Sequence, residues 1–91
     1  MNHGTQATFV TRIDVEEGCR DCSGIRLLTL NTGEIVMRED AYTRVRAGIV
    51  IHSGSDMGPI LIAVSKEGKR YVRTLSNDTS HDPLLMLPRG Y

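Results

Sequence analysis

The chain has no tryptophan, a single phenylalanine (Phe9) and three tyrosines. Aliphatic side chains and methionine must therefore build its core, and a large aromatic-lined cofactor cavity has nothing to be made from. There is no long apolar run. The longest is Ile60-Leu61-Ile62-Ala63-Val64, the length of a buried strand and far short of a membrane span. The opening residues Met1-Asn2-His3-Gly4-Thr5-Gln6 carry no apolar segment of the secretory kind. Neither sign of charge is in excess, since eleven basic residues balance eleven acidic ones. That excludes general nucleic-acid binding, which draws its affinity from excess positive charge. It also removes a barrier to self-association. The reading is a soluble cytoplasmic protein without a membrane partner.

What is present fits one small domain. Ninety-one residues bury only a little over ~60% of their unfolded surface, so the core is thin and oligomerisation would add to it. Nine of the eleven cations are arginine, whose planar fork grips carboxylate or phosphate. The same bias follows more simply from a genome rich in G and C.

Residues 1–7 read as a flexible tail and 8–91 as one compact domain. Thr8 to Val15 alternates as a strand, with Phe9, Thr11, Ile13 and Val15 on one face. Glu16 to Gly24 is a polar loop. Ile25 to Leu30 is apolar on both faces, as a central strand would be. Asn31-Thr32-Gly33-Glu34 is a tight turn into a short strand, Ile35-Val36-Met37. One helix follows. Glu39 and Asp40 sit in its first turn, Met37, Ala41, Val45 and Ile49 form an apolar stripe, and Gly48 ends it.

A strand begins at Ile49–His52, and Ser53 to Pro59 is a glycine-containing loop. Ile60–Ser65 and Arg70–Leu75 pair as a hairpin across Lys66-Glu67-Gly68-Lys69. Pro83–Pro88 is too short and too proline-bounded for a standard helix, and is expected to lie over an edge or end of the core. The order β-β-β-α-β-β-β predicts an α+β domain, a small antiparallel sheet of five to six strands with one packed helix. A small twisted barrel with the helix as its plug is the alternative.

Polar chemistry concentrates after residue 69. Tyr71 and Arg73 share a strand face, with Arg70, Val72 and Thr74 on the other. An open arginine face, with Asn77, Asp78 and His81 from the next loop, would suit a small phosphorylated or nucleotide-like ligand. The plainer reading pairs Arg73 with Asp78 or Asp82 and leaves Tyr71 at the core edge. Asp78, His81 and Asp82 resemble an acid–base group but have no nucleophile beside them, and no phosphate loop or nucleophile elbow occurs. The sequence therefore points away from an enzyme. Cys19-Arg20-Asp21-Cys22 has the C-x-x-C spacing that can hold half of a zinc site. His3, His52 and His81 are the only histidines to complete it, so two free thiols are the simpler outcome. No cofactor is otherwise implied.

Val10-Thr11, Ile13, Asn31-Thr32-Gly33, Ala41, Val45, Gly48, Gly68, Tyr71-Val72-Arg73-Thr74, Asp78, Asp82 and Leu84-x-x-Leu87-Pro88 together resemble a family of short bacterial and phage-associated proteins. The family is known only as a domain of unknown function, number thirty-eight ninety-two. The resemblance spans residues 8–88, with Glu16 to Ser23 standing out as an insertion. It implies a compact fold and supplies no activity. Two functions are compatible with these features. One is a non-catalytic, homo-oligomeric module that binds a small phosphorylated or nucleotide-like ligand, as phage-type sponges for signalling nucleotides do. The other is a protein–protein interaction or accessory domain, working through a sheet edge or the Leu84–Leu87 segment.

Overall fold

A computed structural model describes residues 7–90, so the expected N-terminal tail lies outside the described residues but for Ala7. Six strands and one helix follow one another as β1 (Thr8–Val15), β2 (Ile25–Leu30), β3 (Ile35–Met37), α1 (Arg38–Arg46), β4 (Ile51–Ser53), β5 (Ile62–Lys66) and β6 (Lys69–Arg73). Short 3-10 turns occupy Cys22–Gly24 and Pro83–Met86. The architecture is α+β with one helix. A four-stranded sheet has the order β3-β2-β1-β4, and β5 and β6 form a separate hairpin.

The first three strands form an antiparallel meander. Asn31 secures its turn: the Asn31 side chain accepts from Phe9 N–H and donates to Ala7 C=O, both at 3.0 Å. Gly33 takes φ +94°, a conformation that glycine adopts without strain. The β1 face differs from simple alternation. Val10 and Ile13 are the fully buried residues, three positions apart. Thr11 is an extra residue in the ladder, since the register steps from Val10↔Leu30 to Arg12↔Thr29. The bulge moves the core-facing set from Phe9 and Thr11 to Val10 while keeping Ile13 inward.

β4 runs parallel to β1, which strict alternation of hairpins would not give. The helix explains it. α1 carries the chain from β3 at one edge to β4 at the other, and a strand–helix–strand crossover returns in its starting direction. Glu39 and Asp40 in its first turn and Arg44 and Arg46 in its last complement the helix dipole. Of the expected stripe, Ala41 is buried and Val45 packs on the core. Met37 still belongs to β3 and Ile49 lies past Gly48, so both stay exposed.

The β5–β6 turn is Glu67-Gly68, with positive φ at both residues, as a two-residue hairpin of matching twist requires. Ile60 and Leu61 reach back to β4: Leu61 N–H donates to Ile51 C=O, and His52 bridges Ile60. The C-terminal apolar segment lies over the core end as the sequence suggested. Leu84 and Leu85 are buried, and Ile13 exchanges backbone hydrogen bonds with Pro88 and Gly90.

The loop Ser53–Pro59 is held by its own backbone. Ser53 N–H donates to Pro59 C=O at 2.8 Å, and a Cβ on Gly58 would stand 1.8 Å from Ser53 O. Gly58→Ala is therefore expected to destabilise by about 3 kcal/mol or more, because backbone must shift to admit the methyl. Gly68→Ala meets open space and strains only φ, costing about 1–2 kcal/mol. Denaturant titration of both variants checks the order.

Candidate functional site

The C-terminal residues singled out by sequence come together, and most of their hydrogen-bonding capacity is turned inward. Tyr71 is buried on β6, and its hydroxyl donates to the Asp78 carboxylate at 2.7–2.8 Å. Arg73, two residues along the same face, donates from Nη1 to Asp78 Oδ1 at 2.7 Å and from Nη2 to Ser76 C=O at 2.8 Å. Lys66 reaches the other Asp78 oxygen at 3.3 Å. Arg73 Nε is buried without a partner among the described residues.

Three donors on one carboxylate set its charge state. Burial pushes the Asp78 carboxyl up, but Tyr71, Arg73 and Lys66 together outweigh it and hold it below its usual value. Burial, aided by Asp78, pushes the Tyr71 hydroxyl up to about 12, so it stays protonated and serves as a donor. The arrangement suits the plainer sequence reading, an arginine–carboxylate pair beside a core tyrosine. Tyr71 offers no open ring face for stacking a base.

Asp82 makes a second, deeper clamp. It is fully buried, and its carboxylate accepts from Thr74 N–H, Thr74 Oγ1, Leu75 N–H and Leu84 N–H. It joins the end of β6 to the first turn of Pro83–Met86. Burial raises its pKa, yet the Thr74 hydroxyl and the Leu84, Thr74 and Leu75 amides reverse the shift and lower it overall. Asp82 is thus a helix cap and strand tie with no free lone pair aimed at a substrate.

The remaining nominated residues stand apart. Arg70 lies on the opposite face of β6, 5.7 Å from the centre of the Tyr42 ring. Asn77 and His81 are exposed in the loop, where His81 N–H donates to Thr79 Oγ1. His52 is held by Gly58 C=O at 2.8 Å through Nδ1. Cys19 and Cys22 share the loop between β1 and β2, pinched by Glu16 N–H donating to Gly24 C=O. Both are free thiols. Burial, then Asp82, raises the Cys22 pKa, which disfavours the thiolate that a metal or a redox reaction needs. Among the described residues no group of three or more His, Cys, Asp or Glu side chains is placed to hold a metal ion. His3 lies outside them.

Two surfaces carry more accessible chemistry, the first at two of the nominated C-terminal residues and the second at none of them. One is an open recess of about 280 Å³ beside Tyr71 and Asp78, lined also by Asp21, Ser23, Lys66, Glu67 and Lys69. Charges of both signs face it. The other is the outer face of the four-stranded sheet. Cross-strand partners share a face, so Arg12–Thr29–Ile35 and Asp14–Leu27–Met37 form two ranks across β1, β2 and β3. Phe9–His52–Ile60 forms another across β1 and β4. Ile35, Met37 and Ile60 are 46%, 61% and 52% exposed, so no described element covers them. The signal was available in Ile35-Val36-Met37, where period-two alternation buries Val36 and turns both neighbours outward.

These features define a small α+β domain whose C-terminal polar motif is a structural clamp. The chain belongs to the family described as "Protein of unknown function (DUF3892)", which matches residues 9–88. No curated protein and no solved structure matches it.

Asp82→Ala leaves buried amides and a hydroxyl without their acceptor, and is expected to cost about 3 kcal/mol or more at neutral pH. The lowered folded pKa gives the sign of the pH dependence. The Asp82 contribution is complete above the ordinary value of 3.8 and is lost as pH falls through the folded value. Melting curves of wild type and variant should therefore converge below about pH 4. A constant gap down to about pH 2 would assign the loss to packing instead.

Proposed function

We propose that the protein is a non-catalytic interaction module whose working surface is the outer face of its four-stranded sheet. The observation that carries this reading is the uncovered apolar residues of one sheet face, Ile35 and Met37 at the β3 edge and Ile60 beside β4, ranked with Leu27 and Phe9. Exposed apolar surface of this kind is costly in a monomer and marks association sites. Arg12 and Asp14 on β1 and His52 on β4 lie between the apolar residues of the two sides and supply direction. The Leu84–Leu87 segment is a poorer candidate, since Leu84 and Leu85 are already spent on the core.

A second reading is favoured by the recess beside Asp78. Lys66 and Lys69 line it beside Ser23 and Tyr71, among the acidic Asp21, Glu67 and Asp78, and the Lys66 ammonium already meets Asp78 at 3.3 Å. A small phosphorylated or nucleotide-like ligand would engage those lysines, while Arg73 remains on Asp78 and Arg70 stays on the opposite face of β6. In that role the protein would sequester a signalling nucleotide, in keeping with the phage association the family resemblance suggests.

The two readings separate by mutation. Tagged wild type, Ile60→Lys and Lys69→Ala would be used to capture partners from the native host, with quantitative mass spectrometry as readout. The interaction reading expects one protein recovered near stoichiometrically with wild type and Lys69→Ala and at least tenfold depleted with Ile60→Lys. Equal recovery on all three overturns it. The ligand reading expects a cyclic or linear nucleotide to raise the melting temperature of wild type and to lose that effect in Lys69→Ala. No shift across a nucleotide panel, with the fold intact, removes it.

A further inference from the structure

β3 is an edge strand with an unused hydrogen-bonding side. Its ladder with β2 runs Leu27↔Met37, Leu28↔Val36 and Thr29↔Ile35, and Leu30 N–H donates to Glu34 C=O at 2.8 Å in the same register. Antiparallel pairs alternate between bonded and non-bonded positions. The Glu34 C=O and the backbone groups of Val36 therefore point at β2, while the Glu34 N–H donates to Thr32 Oγ1. Ile35 and Met37 point theirs away from the sheet, where no described strand lies. The Met37 C=O opens α1, which leaves Ile35 N–H, Ile35 C=O and Met37 N–H available.

The sequence across this edge is self-complementary. Reading Glu34-Ile35-Val36-Met37-Arg38 against itself, antiparallel and centred on Val36, sets Ile35 opposite Met37 and Glu34 opposite Arg38. Each apolar side chain then meets an apolar one on the same sheet face, and the charges that flank the strand, Glu34 before it and Arg38 at the start of α1, are of opposite sign. Glu34 already holds Arg44, and Arg38 already holds Glu39 and Glu16, so the charges across the axis act as steering rather than as buried ion pairs. Net charge is zero, so nothing at longer range opposes the approach. No proline, inward-facing charge or bulge blunts the edge, although it is only three residues long.

We infer that a second copy of this chain pairs with β3 across a two-fold axis at Val36, joining the two four-stranded sheets into one of eight strands. Ile35 C=O accepts from Met37 N–H of the other copy, twice by symmetry. The proposal rests on the interaction reading and deepens it, because the outer apolar faces of both copies become one continuous surface. It also completes a recess of about 420 Å³ at the same edge, floored by Leu27 and Met37 and rimmed by Arg26 and Arg38. The second copy's Ile35 stands beside Met37 and closes the apolar side of that recess.

Sedimentation equilibrium on the full chain tests this. Wild type should sediment as a dimer at micromolar concentration, and Met37→Lys should raise the dimer Kd at least tenfold. Circular dichroism and a melting curve would verify that the variant, altered at an exposed position, remains folded. In a Cys19→Ser background, Ile35→Cys combined with Met37→Cys should give an oxidised covalent dimer, while either cysteine alone should not. A monomer at about 100 µM overturns the inference. So does a dimer indifferent to Met37→Lys, or one cross-linked equally by the single cysteines. A monomer that still captures its partner through Ile60 removes the dimer and leaves the interaction reading standing. A dimer whose partner capture is unaffected by Ile60→Lys does the reverse.

Discussion

The C-terminal third of the molecule depends on one buried carboxylate. β6 and the Pro83–Met86 turn contribute Leu84, Leu85 and Val72 to the core, but neither element is long enough to hold its position alone. Asp82 sits between them and accepts from both. A buried carboxylate is normally expensive, and here the desolvation is offset by hydroxyl and amide donors that fill its lone pairs. The consequence reaches the candidate site. With the end of β6 fixed by Asp82, the loop of residues 76–82 can return Asp78 to Tyr71 and Arg73, and that second carboxylate covers the other face of the strand. Cys22 packs against the same centre, so the loop between β1 and β2 is also tied to it.

Much of this fold can be read from the sequence where local chemistry and tertiary packing agree. The boundaries of β1, the Asn31–Gly33 turn, the helix with its acidic start and Gly48 stop, and the Glu67-Gly68 hairpin all follow from patterns of a few residues. What escapes is non-local. The Thr11 bulge depends on how β1 meets β2, since alternation alone puts Phe9 and Thr11 inward. The direction of β4 depends on the path of α1 over the sheet. The division into a four-stranded sheet and a hairpin depends on where Ile60 and Leu61 leave β4.

The candidate site was legible in membership more than in role. The tyrosine, arginine and aspartates after residue 69 do converge, yet a one-dimensional pattern cannot distinguish donors that face outward from donors already engaged. Arg73 has two carbonyl or carboxylate partners within its own loop, and the Asp82 lone pairs are filled. Arg70, adjacent in sequence, is on the other side of the strand and meets Tyr42 instead. A dense polar motif in a small domain can thus arise because the chain needs carboxylates to organise backbone that lies outside regular structure. In such a domain, a cluster of named polar residues indicates function only after its internal hydrogen bonds have been counted.

That count redirects attention to surfaces with unspent capacity. A thin core leaves apolar side chains outside, and the outer sheet face of this chain keeps several of them. The free edge at β3 adds backbone donors and acceptors with no described partner. Backbone pairing supplies affinity without much specificity, while the side chains flanking it decide which strand is accepted. In Glu34–Arg38 the flanking charges oppose when the segment meets itself antiparallel and repel when it meets itself parallel, where Glu34 would face Glu34. The same three apolar positions therefore favour one orientation of a second copy over the other, and it is the pair of charges at the strand ends that makes the choice.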